Sequence, residues 1–120
     1  MSPPSPPEVM RYVDHEPGAW FAVEHRDELY LDARYAYSAL IDDSVLVRLD
    51  ESELEAYRAG GHAYLSDLTR RIHDSAPYQE SSPYYRRNLY RGADGAQYRD
   101  AVAAAITEHT WAAEHGREDP

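Results

Sequence analysis

A chain of 120 residues with a net charge of −10 is long enough to bury one core without staples. It contains no cysteine, which removes disulfides, thiolate metal ligands and cysteine nucleophiles together. The acidic balance argues against a nucleic-acid footprint and against docking on an anionic membrane, and leaves room for a protein partner with a basic surface.

Residues 1–7, Met-Ser-Pro-Pro-Ser-Pro-Pro, predict a disordered tail, because proline removes backbone donors and favours extended, solvated chain. The segment has neither the basic nor the apolar region of a signal peptide. No apolar run approaches the roughly 20 residues of a membrane span. A soluble, cytoplasmic protein is expected, with one folded domain over residues 8–115.

The first stretch reads as strands. Val9–Val13 is a short β-prone run, followed by Pro17-Gly18 as a turn. Trp20–His25 is the second run, and Arg26-Asp27-Glu28 a compact connection. In the third, Leu29, Leu31, Ala33, Tyr35 and Tyr37 alternate with Tyr30, Asp32, Arg34 and Ala36. That period of two, with one apolar and one mixed face, predicts a sheet packed on one side and partly solvated on the other. Val45–Leu49 is almost continuously apolar, which predicts a central or well-covered fourth strand. Connections this short favour antiparallel neighbours.

The period changes at Asp50. Asp50 and Glu53 have the spacing of a capping box. Leu54, Tyr57, Gly61, Tyr64, Leu65, Leu68 and Ile72 then step by three and four, predicting an amphipathic helix that ends near His73 or Asp74. Gly60-Gly61 in its middle costs about 1 kcal/mol per glycine relative to alanine. Either the helix kinks there or its backbone lies close against a neighbour, and close packing is the preferred reading. Ser75–Pro83 reads as a loop, with a helical turn over Tyr84–Arg91. Asp94 is a candidate N-cap for a last helix over Ala96–Ala113. Its stripe is Tyr98, Val102, Ala105, Ile106, His109 and Ala113, with Gly116 as its C′ residue and residues 116–120 as a frayed tail. Trp111, nine residues from Val102, falls roughly 180° away from that stripe. The expected fold is therefore α+β: an N-terminal four-stranded antiparallel β-meander packed against two long C-terminal helices plus a short helical segment.

Motifs for chemistry are weak. No two histidines have the i, i+4 spacing of a helical zinc site, and His62 and His73 would stand about 16 Å apart along one helix. There is no G-x-S-x-G, no phosphate loop and no EF-type calcium loop. Asp42-Asp43 falls in an expected turn, where Asp commonly bonds the local backbone. No catalytic residue, metal or cofactor is assigned.

One segment stands out against the acidic background. Residues 84–99 hold four arginines against a single carboxylate. Tyr84, Tyr85, Arg86, Arg87, Tyr90 and Arg91 form a cationic, aromatic island suited to forked binding of anions and to stacking. The competing reading is internal: these arginines tie the segment to acidic parts of the same chain. With Trp111, they are the candidate ligand- or partner-binding residues. The preferred functional reading is a non-enzymatic acidic protein-interaction module of immunity-, inhibitor- or adaptor-like character that binds a basic protein partner. The alternative is a small-molecule binding protein or enzyme with an anion-accepting Tyr/Arg pocket. A homodimer through an uncovered sheet face or Trp111 is compatible with either.

Overall fold

The computed structural model describes residues 9–115. The expectations for the proline tail and for Gly116 and the residues after it lie outside this range. Four strands, β1 (Arg11–Glu16), β2 (Trp20–His25), β3 (Glu28–Ala36) and β4 (Asp42–Arg48), form an antiparallel sheet in the order β1-β2-β3-β4. Two helices follow, α1 (Glu51–Asp74) and α2 (Gly95–His115), with a single 3-10 turn (Leu89–Arg91) before α2. This is the α+β meander read from the sequence. Among the described residues, no helix is long and apolar enough to cross a membrane.

The sheet carries a core on each face. One face gives Trp20, Ala22, Leu29, Leu31, Ala33, Tyr35, Val45, Val47 and Leu49 to a core closed by Leu65, Leu68 and Ile72 of α1. The opposite face gives Met10, Val23, Tyr30 and Leu46 to a second core closed by Ala101, Val102 and Ala105 of α2. The expectation of a partly solvated second face holds at the ends of β3, where Glu28, Arg34 and Ala36 are exposed, while its middle is covered. Alternation in β3 is real, and on its mixed face Tyr30 and Asp32 are withdrawn from water. Tyr30 and Asp32 bury their bodies while their polar ends find partners: the Tyr30 hydroxyl donates to Glu28 at 2.8 Å, and Asp32 accepts from the Tyr90 hydroxyl. Small residues on α2 let it lie close over these larger side chains.

α2 is also held to β1 by rings. His109 stacks on Tyr12 with centroids 3.5 Å apart, and the Tyr12 hydroxyl lies 2.6 Å from His15 Nδ1. His15 in turn stacks on Phe21. These histidines are spent on packing, and among the described residues no three His, Asp or Glu side chains gather where a metal ion would fit.

α1 begins as its sequence requires. The Asp50 side chain accepts from Glu53 N–H, and the Glu53 side chain accepts from Asp50 N–H, completing the box. The glycine pair works differently from the expectation. Gly61 has φ 59° and ψ −138°, breaking the helical run, and a side chain added there would meet nothing within 4 Å. The pair is a kink rather than a close contact, because only glycine adopts that conformation without strain. The bend lets α1 span the sheet from the end of β4 back towards β1. Close approach occurs instead at Gly95, where a Cβ would stand 2.1 Å from the Tyr90 carbonyl oxygen. The helical turn expected over Tyr84–Arg91 is a series of turns with only Leu89–Arg91 helical. Asp94 precedes α2, and its carbonyl accepts Tyr98 N–H at 3.1 Å.

A straight-helix glycine becomes more stable on substitution by alanine, but Gly61→Ala is expected to lose about 1–3 kcal/mol, the strain of a non-glycine residue in this region. Urea unfolding of the two proteins measures it, and a stabilised variant would contradict the kink.

Candidate functional site

The Tyr/Arg segment does come together, and it lies along the outer edge of β4. An edge strand leaves backbone donors and acceptors open, which proteins blunt by covering them. Here the cover is side-chain chemistry. Asn88 Oδ1 accepts Leu46 N–H at 3.1 Å, and Arg87 donates to the Arg48 carbonyl at 3.1 Å. Asn88 also accepts Tyr90 N–H, capping the 3-10 turn. β4 is thus an edge strand in topology yet buried at Val45, Leu46 and Val47, which accounts for its apolar run there.

Arg87 forks onto Glu53, with nitrogen–oxygen distances of 3.1 and 2.5 Å. The Glu53 side chain is 11 % exposed and that of Arg87 33 %, so the pair is largely withdrawn from water. Tyr84 lies under the same guanidinium, and its hydroxyl is pushed up in pKa by burial despite the neighbouring Arg71 and Arg87 charges. Arg91 stacks 3.6 Å over Tyr85. Tyr90 donates to Asp32 while Arg99 stacks over its ring and reaches Asp43 at 3.6 Å. Burial together with the Asp32 charge raises the Tyr90 pKa, so its proton stays in the bond. Burial also raises Asp32, against the lowering by the Tyr90 hydroxyl. Of the six clustered candidates, Arg86 and Arg91 are exposed. Trp111 is 60 % exposed on α2, about 24 Å along the helix from its start at Gly95, and belongs to a different surface.

A second place has the shape of a site. A cleft of about 460 Å3 opens at the end of the sheet where β2 ends at Trp20 and β3 runs on, paired only with β4. Its walls are Glu16 and Trp20 from β1 and β2, Ala36 from β3, and a row of side chains from the second half of α1. That row is Ser66, Thr69, Arg70 and His73, at i, i+3, i+4 and i+7, and so on one side of the helix. The Trp20 indole N–H donates to Ser66 Oγ at 3.0 Å. His73 closes one end, its Nε2 3.3 Å from the Ala36 carbonyl and its ring stacked on Tyr37. Glu16 stands beside His62, whose Nε2 is 3.7 Å away and whose Nδ1 meets Asp14 at 2.8 Å. Thr69 Oγ1 is buried with no hydrogen-bond partner, the one such side-chain atom among the described residues. Leaving it so costs about 1–3 kcal/mol.

The cleft was not singled out from the sequence. A signal was present, since Ser66, Thr69, Arg70 and His73 run beside the apolar row Leu65, Leu68 and Ile72. A polar row next to an apolar one is how any surface helix looks, and only the end of β2 at Trp20 turns it into a wall. Compared with protein-family models, curated proteins and solved structures, the chain matches none.

Two measurements check the segment's ties. Arg87→Met is expected to destabilise by about 3 kcal/mol, the cost of leaving a buried carboxylate without its partner, and Glu53→Gln in the same chain should recover part of the loss because an amide needs no counter-charge. Absence of any recovery in the double variant would show that the forked pair is not the cause. For Tyr90→Phe the expected signature is in pH. Asp32 already has a raised pKa in the fold, so its contribution to stability is full below the ordinary Asp range and declines as pH rises towards the raised value. Removing its donor raises it further, so the penalty of Tyr90→Phe should be larger near pH ~7 than near pH ~3. Denaturant titrations at both values decide it, and equal penalties would mean that Asp32 does not depend on this hydroxyl.

Proposed function

We propose that the protein is an acidic interaction module that docks a basic protein surface through the end of the sheet where α1 begins. The observation that carries this reading is the uneven use of charge. Arg11, Arg34, Arg48, Arg70, Arg71, Arg87 and Arg99 each pair with a carboxylate of the same chain. Intramolecular pairing of the cations leaves the carboxylate excess facing outwards. One group of these carboxylates lies where the β2–β3 turn meets the start of α1, joined by the Leu49 N–H to Leu29 carbonyl bond at 2.9 Å. Asp27, Asp50, Glu51 and Glu55 are exposed there, alongside the exposed cations Arg26, Arg48 and Arg58. Part of this acidity serves the helix, since Glu51 lies in the first turn where the dipole favours a negative charge. Asp27 and Glu55 lie outside that turn, and the cap does not account for them. The Tyr/Arg pocket draws less support, because Arg87 and Arg99 are already engaged with Glu53 and Asp43. A cytoplasmic setting accords with a chain that has no cysteine.

Electrostatic docking has a kinetic signature. For a purified partner, the association rate should fall steeply as salt rises from about 0.01 M to about 0.1 M, over which the screening length shrinks from about 30 to about 10 Å. Glu51→Arg with Glu55→Arg should slow association at the lower salt concentration and leave dissociation nearly unchanged. An association rate indifferent to salt and to these reversals would exclude the proposed face.

A further inference from the structure

We propose that the cleft between Trp20, the end of β3 beyond β2 and the second half of α1 is a binding site for a small organic carboxylate with an apolar body. Its volume of about 460 Å3 falls within the usual range for small-molecule sites. Its walls divide by chemistry. Trp20, Ala19 and Ala36 supply apolar surface, and the α1 row supplies hydrogen-bond donors.

The donor excess follows from the bonds already made. Ser66 Oγ accepts the Trp20 indole N–H, so its own hydroxyl hydrogen remains to be given. Thr69 is 7 % exposed and lines the same cleft, with its hydroxyl buried and unpartnered. A buried hydroxyl left unmet is rare in folded proteins and calls for a missing partner. Arg70 pairs with Asp67 one turn back, which occupies only part of a guanidinium that has five donors. Two hydroxyl groups and a guanidinium on adjacent turns match the two oxygens of a carboxylate, and bonds to a charged acceptor are the strong ones. His73 is turned to the Ala36 carbonyl and to Asp74, and serves as an end wall. Arg34 is drawn to Asp42 on the β4 side. Glu16 marks the far end, beside His62, and sets the orientation by repelling the carboxylate towards Ser66, Thr69 and Arg70. This site lies apart from the acidic face proposed for protein docking, so either assignment stands without the other.

Benzoate is the probe, with inorganic phosphate as the second arm, read by NMR on the full 15N-labelled chain. Saturable shifts are expected at the Trp20 indole N–H and the Ser66, Thr69 and Arg70 amides. Thr69→Val and Arg70→Gln should each weaken benzoate by about tenfold, the weight of one hydrogen bond to a charged group, and Thr69→Ser should retain it. The proposal is overturned by the absence of a saturable Trp20 shift, by unchanged affinity in both weakening variants, or by a loss in Thr69→Ser equal to that in Thr69→Val. Phosphate binding as tightly as benzoate would overturn the assignment of an apolar body.

Discussion

Glu53 is the side chain on which the arrangement of the chain's two halves depends. Its Oε1 accepts the Asp50 N–H at 2.9 Å, closing the capping box, and the same carboxylate receives the fork of Arg87. Arg87 then reaches the Arg48 carbonyl at the end of β4. One carboxylate therefore ties together the end of the sheet, the start of α1 and the segment that leads to α2. A withdrawn charge of this kind is tolerated only when it is fully partnered. Glu53 meets that condition by doing two jobs with one group, at a place where three parts of the chain must be held in fixed relation.

The consequence reaches the second core. Holding residues 84–91 against β4 sets the Tyr90 carbonyl where Gly95 passes under it, and Gly95 begins α2. From there the helix runs over Val23, Tyr30 and Leu46 to the Tyr12–His109 stack on β1. The edge cover, the buried Asp32–Tyr90 bond and the second layer are thus successive results of one anchored segment. A four-stranded meander has two faces to hide and two edges to guard, and the segment attends to one edge while directing α2 to one face.

The same economy shapes what remains for function. Arginines engaged with carboxylates of their own chain leave exposed carboxylates, among them Asp27, Asp50, Glu51 and Glu55 at one end of the sheet. At the opposite end, β3 outruns β2 and opens a cleft whose wall is donor-rich. These are separate surfaces with different chemistry, one broad and charged, the other small and partly apolar.

By itself the sequence determined the elements. Short β-prone runs, the period of two from Leu29 to Tyr37, the Asp50–Glu53 box and the three-and-four spacing beyond it are local signals, set by backbone geometry within a few residues, and they marked four strands and both helices, although Asp42 and Asp43, read as a turn, open β4. It also marked residues 84–91 as unusual, since a cationic run in an acidic chain is visible in composition. What only the tertiary structure decided depends on neighbours far apart in the chain. Whether the mixed face of β3 meets water or α2, whether Gly60-Gly61 bends or packs, and whether Arg87 awaits a ligand or holds Glu53 are settled by contacts across dozens of residues. Periodicity records which way a side chain points and is silent on what stands opposite it. For the same reason Ser66, Thr69 and Arg70 looked like an ordinary helix surface until Trp20 and Ala36 were seen to face them.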